Sequence, residues 1–293
     1  MQFVFLLILS LLGRFVPLHA NNDSSGDRGD TSEINTKYRR YYEPFFKVYY
    51  DLDDDPKDTI KTLLKQGLAY EGNIGLILDH LAKRGSSVLD IGSHIGVHSI
   101  TMSRKVGPEG TVIAFEPDKK LHSELLQNLK INDCNNVVSI CKALGDSERI
   151  VSLKNNHIQQ DSDEFWLPRS EGVSNKVETI TLDSLKIDNL SLIKMDVENY
   201  EYFVLKGGKE TILRNKPVIV FECWIGADYE NANSYEKANF DRVISLIESY
   251  GYEIHVIYCN DFIAFPIEST GELAEYKKNF KKLDVGNFDL GLK

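Results

Sequence analysis

Residues 86–100 read SSVLDIGSHIGVHSI, and the rest of the chain is arranged around them. Residues 87–91 are a short apolar run with an acid, Asp90, near its end, the pattern of a buried parallel strand. Gly92 and Gly96 follow, and the stretch beyond them reads as a helix. A strand, a glycine turn and a helix form the first half of a nucleotide-binding βαβ unit. In that reading Gly92 allows the tight turn, Gly96 lets the backbone approach a ligand, and the amides opening the helix receive a carboxylate or phosphate. Glycines spaced G-x-x-x-G also occur in ordinary strand-to-helix turns. The next strand, 110–116 (GTVIAFE), favours the nucleotide reading, because it ends on Glu116. That acid lies twenty residues past Gly96 (116 minus 96), where such folds hold the ribose hydroxyls.

The ligand can be narrowed further. Dinucleotide sites use G-x-G-x-x-G, because the middle glycine lets a pyrophosphate sit against the backbone. Here His94 stands at that position and would crowd a pyrophosphate, while Asp90 adds a fixed negative charge. A cationic ligand without phosphates suits the pocket, and S-adenosyl-L-methionine is one. Its ribose suits Glu116, its carboxylate the helix amides, and its ammonium and sulfonium charges Asp90. A nicotinamide-dependent oxidoreductase is the alternative enzyme, disfavoured by the missing middle glycine.

VLDIGSHIGVHS at 88–99, FEPD at 115–118, IKMDVENYEYFVLKG at 193–207 and VIVFE at 218–222 resemble FkbM-type methyltransferases in order and spacing, over residues 71–266. That family usually has small or amide residues where this chain has Ser93 and His94, and Gly-Ala where Asn199 and Tyr200 stand. The resemblance implies a Rossmann-like class I methyltransferase that uses S-adenosyl-L-methionine to methylate hydroxyls of a small molecule or carbohydrate. The donor would be held by Asp90, Gly92, Ser93, His94, Gly96 and Glu116. Glu71, just before a helix at 73–84, would reach the donor's ammonium in this fold, a plain surface charge being the other reading. Residues 143–146, ending on Asp146, follow the third strand at the edge where the adenine would lie.

Further apolar runs at 136–141, 191–197 and 217–223 continue the strands, and 252–258 with 262–266 read as a closing hairpin. The expected fold is α/β, a mostly parallel doubly wound sheet closed by a C-terminal β-hairpin. In such sheets the ligand crevice lies outside the carboxyl ends of the strands. Those ends carry Asp90, Glu116, Asp196 with Glu198, and Glu222. Capping of the following helices accounts for one or two of these acids, not for all. Methyl transfer to a hydroxyl needs in-line alignment and removal of a proton. Asp196 is expected at the methyl or acceptor, with Glu198 and Glu222 binding acceptor hydroxyls. Three carboxylates holding Mg²⁺ or Ca²⁺ is the second reading. His94 and His98 rank behind them as bases, a histidine at a helix start being more often a local hydrogen-bonding residue. A non-catalytic binding module on the same fold is the remaining alternative.

The length of 293 residues suits one large α/β domain with tails. A net charge of −10 argues against a phosphate-backbone partner, so the expected acceptor is a small molecule or glycan and not nucleic acid. Cys134, Cys141, Cys223 and Cys259 form no C-x-x-C pair and read as free thiols, with a disulfide as the minority reading. Residues 1–20 look like a signal peptide or short anchor, their apolar run being shorter than the ~20 residues a membrane span needs. The chain is therefore expected to be exported, secretory or membrane-associated through that segment, or cytoplasmic if the start codon is wrongly chosen. A polar linker at 21–35, an aromatic-rich cover at 36–70, the methyltransferase domain at 71–268 and a charged peripheral tail at 269–293 complete the expected organisation. A polar insertion at 155–175 carries His157, Phe165, Trp166 and Leu167 and reads as an acceptor lid or as a loop packed down by its aromatics. Oligomeric state has no signal in the sequence.

Overall fold

The structure is a computed structural model and describes residues 38–154, 157–159, 175–225, 229 and 232–284. The expected signal segment, the linker and the aromatic tip of the insertion lie outside the described residues.

An antiparallel hairpin, β1 (Arg39–Glu43) and β2 (Val48–Leu52), leads through α1 (Thr59–Lys65) to α2 (Gly72–Leu81). Then come β3 (Ser87–Ile91), α3 (Val97–Val106), β4 (Thr111–Phe115), α4 (Lys119–Ile131) and β5 (Val137–Ile140). A separate four-stranded sheet is made by β6 (Ala143–Leu144), β7 (Arg149–Lys154), β8 (His157–Gln159) and β9 (Asn175–Ile180). The main sheet resumes with β10 (Leu190–Met195), α5 (Glu201–Gly207), α6 (Lys209–Asn215), β11 (Val218–Glu222) and α7 (Ser234–Ser249). It finishes with β12 (Tyr252–Tyr258), β13 (Asp261–Pro266), α8 (Gly271–Lys277) and β14 (Lys281–Lys282).

The main sheet has the order β14-β12-β13-β11-β10-β3-β4-β5. β11, β10, β3, β4 and β5 run parallel, while β13, β12 and β14 are antiparallel additions. From β3 the chain winds outward through β4 and β5, then returns to β10 on the other side of β3. That reversal opens a crevice at the carboxyl ends of β3 and β10.

The strands are apolar on both faces because helices cover both. Leu89, Ile91, Ile193, Met195, Ile219 and Phe221 pack with Val204, Leu205, Phe240 and Val243 from α5 and α7. Their alternates, Val88, Leu192, Val218 and Val220, pack with Ile74, Leu78, Met102 and Val106 from α2 and α3. The period of two places Asp90 beside Val88 and Lys194 beside Leu192, on the α2 and α3 side. Those two are also direct neighbours across β3 and β10.

The aromatic cover is a folded hairpin, with Val48, Tyr50 and Leu52 buried against Ile95, Leu125 and Leu129. It is tied to α4 by Asn128 and Asn132, which accept the amides of Asp51 and Tyr49. Within the tail, described to residue 284, β14 pairs with β12, and Leu273, Tyr276 and Phe280 pack against the core. Its charges hid those three apolar contacts. Among the described residues no helix is long and apolar enough to cross a membrane. All four cysteines are free.

Candidate active site

The glycine turn is built around two backbone requirements. Gly92 has φ 80°, and a Cβ there would collide with the backbone carbonyl of Asp196. Glycine thus lets the end of β10 lie against the turn, where Asp196 N donates to Ile91 O. His94 also has positive φ, 50°, and its amide donates to Glu116 Oε2 at 2.9 Å. The other oxygen, Oε1, accepts the Asp118 amide at 2.8 Å. Glu116 therefore pins the turn to the end of β4, and burial pushes its carboxyl up to about 7.

A cavity of about 650 Å³ opens beside this turn. Gly92, His94, Glu116, Asp196, Glu198 and Tyr200 line one side, with Leu121, Ala143, Leu144, Leu153 and Ile158 forming an apolar wall. Asp58, Ile60 and Tyr70 close it from the N-terminal segment. Its volume lies in the range of small-molecule sites.

Behind Asp196 is a second hollow of about 10 Å³, bounded by Glu71, Lys194, Asp196, Glu222 and Asp261. Asp196 borders both spaces. Lys194 is 5% exposed, and its Nζ reaches Asp196 Oδ2 at 3.3 Å and the Gly92 carbonyl at 3.4 Å. Burial opposes its charge, but Asp196, Asp90 and Glu71 outweigh it and raise the ammonium above its ordinary value. Burial and the Asp196 carboxylate push Glu222 up to about 9. Asp261 is raised to about 7 by burial, Glu71 and Asp196. Glu71 goes the other way: against burial, the His98 ring at 2.9 Å holds it down to about 2.

The expected donor ligands divide accordingly. Gly92, His94 and Glu116 reach the cavity. Asp90 does not line it: the residue is fully buried on the α2 and α3 side, and Oδ2 accepts the Ser99 hydroxyl at 2.5 Å. Ser93 is buried as well and lies outside the cavity lining. Gly96 has φ 93° and caps α3, a Cβ there would press on Leu125, and the residue lies outside the cavity lining. Asp146 is drawn away by Arg149 and Lys206, each at 3.1 Å. Glu71 borders the small hollow, not the large cavity. Of the expected acceptor ligands, Asp196 and Glu198 line the cavity, whereas Glu222 faces a hollow with room for about one water at most. Glu222 thus borders Asp196 from the small hollow and lies outside the lining of the large cavity. Among the described residues no group of three or more His, Cys, Asp or Glu side chains is placed to hold a metal ion.

The sequence profile of the Methyltransferase FkbM domain matches residues 90–254, from the end of β3 into β12. The chain belongs to the FkbM methyltransferase family. Among solved structures it is similar to the methyltransferase FkbM from Methylobacillus flagellatus KT, at 17% identity over 61% of this chain and 43% of that one, with a TM-score of 0.42. It thus spans less than half the length of that protein. It is also similar to a precorrin-6y C5,15-methyltransferase from Geobacter metallireducens GS-15, at 17% identity over 72% of this chain and 94% of that one, TM-score 0.41. An O-methyltransferase from Bacillus cereus in complex with SAH matches at 14% identity over 67% and 80% of the two chains, TM-score 0.43.

The departures from the FkbM pattern have local explanations. Asn199 has φ 70°, and asparagine tolerates the left-handed region where the family uses glycine. Tyr200 is 1% exposed, stacks on Phe203 and accepts the Arg149 guanidinium at 3.1 Å, so it fills the cavity wall where alanine would leave space. The residues that sequence reading missed are Asp58, Lys61, Tyr70, Lys194 and Asp261. Lys194 had a signal, a lone cation inside the apolar run LSLIKM. Lys61 had a weaker one, three residues before Leu64 on the inner face of α1.

Proposed function

We propose that the chain is an S-adenosylmethionine-dependent methyltransferase acting on a hydroxyl of a small molecule or glycan. The observation that carries this reading is the position of Asp196, which lines both the large cavity and the small acidic hollow. The chemistry of the lining suits the donor. Glu116 uses two amides and keeps acceptor capacity for a diol, since a carboxylate has about four lone-pair sites. The apolar wall from Leu121 to Ile158 suits a flat base. When bound, the cofactor supplies a methyl group on a sulfonium centre.

Glu116 holds ribose hydroxyls, and the Gly92–His94 turn fixes the depth at which a ligand can sit. Asp196 receives the acceptor's hydroxyl proton on its carboxylate. Lys194 keeps that carboxylate oriented, and Glu222, raised by burial and by Asp196, stays protonated beside it. Glu198, lining the same cavity, is placed to orient the acceptor hydroxyl.

Asp196→Asn tests this directly, because it keeps size and hydrogen bonding while removing the basic site. Calorimetry should give S-adenosylhomocysteine affinity close to wild type. Release of S-adenosylhomocysteine against a panel of sugars and small alcohols should fall by about 10²–10⁴-fold, the span of a lost general base. Loss of S-adenosylhomocysteine binding would make Asp196 a ligand anchor, and full activity would make it structural.

A further inference from the structure

The family match begins at Asp90, yet one wall of the large cavity comes from residues 58–60, well before it. This wall rests on a lysine that is fully buried. Lys61 is 0% exposed and its Nζ meets Asp53 Oδ1 at 2.6 Å, Glu124 Oε2 at 2.6 Å and Asp58 Oδ2 at 3.8 Å. Burial opposes the charge, but Asp53 and Glu124 hold Lys61 protonated. Glu124 belongs to α4, so the contact joins the N-terminal segment to the helix that follows Glu116.

Asp58 is used several times. Its side chain caps α1 by accepting the Lys61 amide at 3.0 Å, and its Oδ2 lies 3.4 Å from His94 Nε2. His94 in turn lines the cavity and donates its amide to Glu116. A continuous chain of contacts therefore runs Glu124–Lys61–Asp58–His94–Glu116, and its last three members line the cavity. Burial lowers the His94 imidazole below its ordinary value, so the ring is neutral near pH 7. Asp58 then favours the proton on Nε2 and leaves Nδ1, buried and without a hydrogen-bond partner, as an acceptor.

A buried ion network is a poor way to gain stability, since a well-packed apolar residue does as well or better. Its use here fits a need for one fixed geometry. We infer that residues 58–60 are a cofactor-retaining wall and that Lys61 is the positioning residue that sets it, through Asp58 and His94. The inference rests on the donor reading above and deepens it, adding to the residues matched by the FkbM domain a wall that precedes them in the chain.

The test uses the full chain, calorimetry with S-adenosylhomocysteine, and hydrogen exchange of residues 59–65 in the absence of ligand. Lys61→Met and Asp58→Asn are compared with wild type, and Glu43→Gln serves as control. Glu43 is buried in the hairpin of the same segment, where it accepts the amides of Phe45 and Phe46, and it lies outside the cavity lining. Lys61→Met and Asp58→Asn should weaken S-adenosylhomocysteine by about tenfold or more, the scale of a binding element that is no longer preorganised. Exchange in 59–65 should speed up in Lys61→Met. Glu43→Gln should lower Tm but keep affinity within about twofold, as for uncoupled sites. Folded Lys61→Met and Asp58→Asn proteins that bind within about twofold of wild type would overturn the wall. If Lys61→Met does not fold, Asp58→Asn decides alone. Wild type that fails to bind S-adenosylhomocysteine would instead overturn the donor reading, and the wall with it.

Discussion

To one side of Asp196 lies a cavity of about 650 Å³, bounded by the glycine turn, Glu116 and the N-terminal segment. To the other lies a hollow of about 10 Å³, bounded by Glu71, Lys194, Glu222 and Asp261. In the first, the buried Glu116 accepts two backbone amides, and charged side chains such as Asp58 and Lys120 share the lining with apolar ones such as Leu121 and Leu144. In the second, carboxyls surround one ammonium: burial and Asp196 push Glu222 up to about 9, while, against burial, His98 holds Glu71 down to about 2. The difference is one of task. The large space has the volume of a small-molecule site, while the small one has no room for a ligand and packs charged groups against the residue between them.

The comparison breaks most visibly at Lys194. Lys194→Met leaves Asp90 and Asp196 without their cation, and removing one member of a buried pair costs about 3–5 kcal/mol. Chemical denaturation should show a loss of that size. A loss under about 1 kcal/mol, the scale of an exposed pair, would mean that the hollow is not held by charge.

A smaller effect sharpens the same point through pH. Burial raises Glu222 to about 9, Glu201 to about 8 and Asp261 to about 7 in the folded chain. Their unfolded values lie near ~4. Between those limits the folded chain binds more protons than the unfolded chain, so stability is full at low pH and falls as pH rises through the folded values. Glu71 acts in the opposite sense, its contribution being present above its unfolded value and lost only as pH falls toward about 2. Tm of the ligand-free protein should therefore decline from about pH 5 to about pH 9. Glu222→Gln, which cannot ionise, should flatten the upper part of that decline. A Tm that rises with pH over this range would contradict the charge arrangement.

The parallel strands, the glycine turn and the rim acids were legible because each depends on local pattern: an apolar run, then glycine or an acid. Position along a strand was legible too, but face was not used. Asp90 alternates with Leu89 and Ile91, and that period of two already assigns it to the α2 and α3 side, away from the cavity. Gly96 shows the limit of such reading, because a positive φ at a helix cap and a close approach to ligand call for the same residue. The N-terminal wall was out of reach for a different reason. Asp58 meets His94, and Lys61 meets Glu124, across separations that no local pattern encodes. Asp146 sat on the expected edge, but its capture by Arg149 and Lys206 depends on how β7 and α5 fold beside it.

The central claim is that the large cavity is a donor site anchored on Glu116. Calorimetric titration of S-adenosylhomocysteine into wild type and Glu116→Ala tests it most directly, with NAD as the competing ligand. Wild type should bind S-adenosylhomocysteine and not NAD, and Glu116→Ala should lose about 1.5–3 kcal/mol, the value of a hydrogen bond to a charged group. Binding of NAD in place of S-adenosylhomocysteine, or unchanged affinity in a folded Glu116→Ala protein, would contradict it.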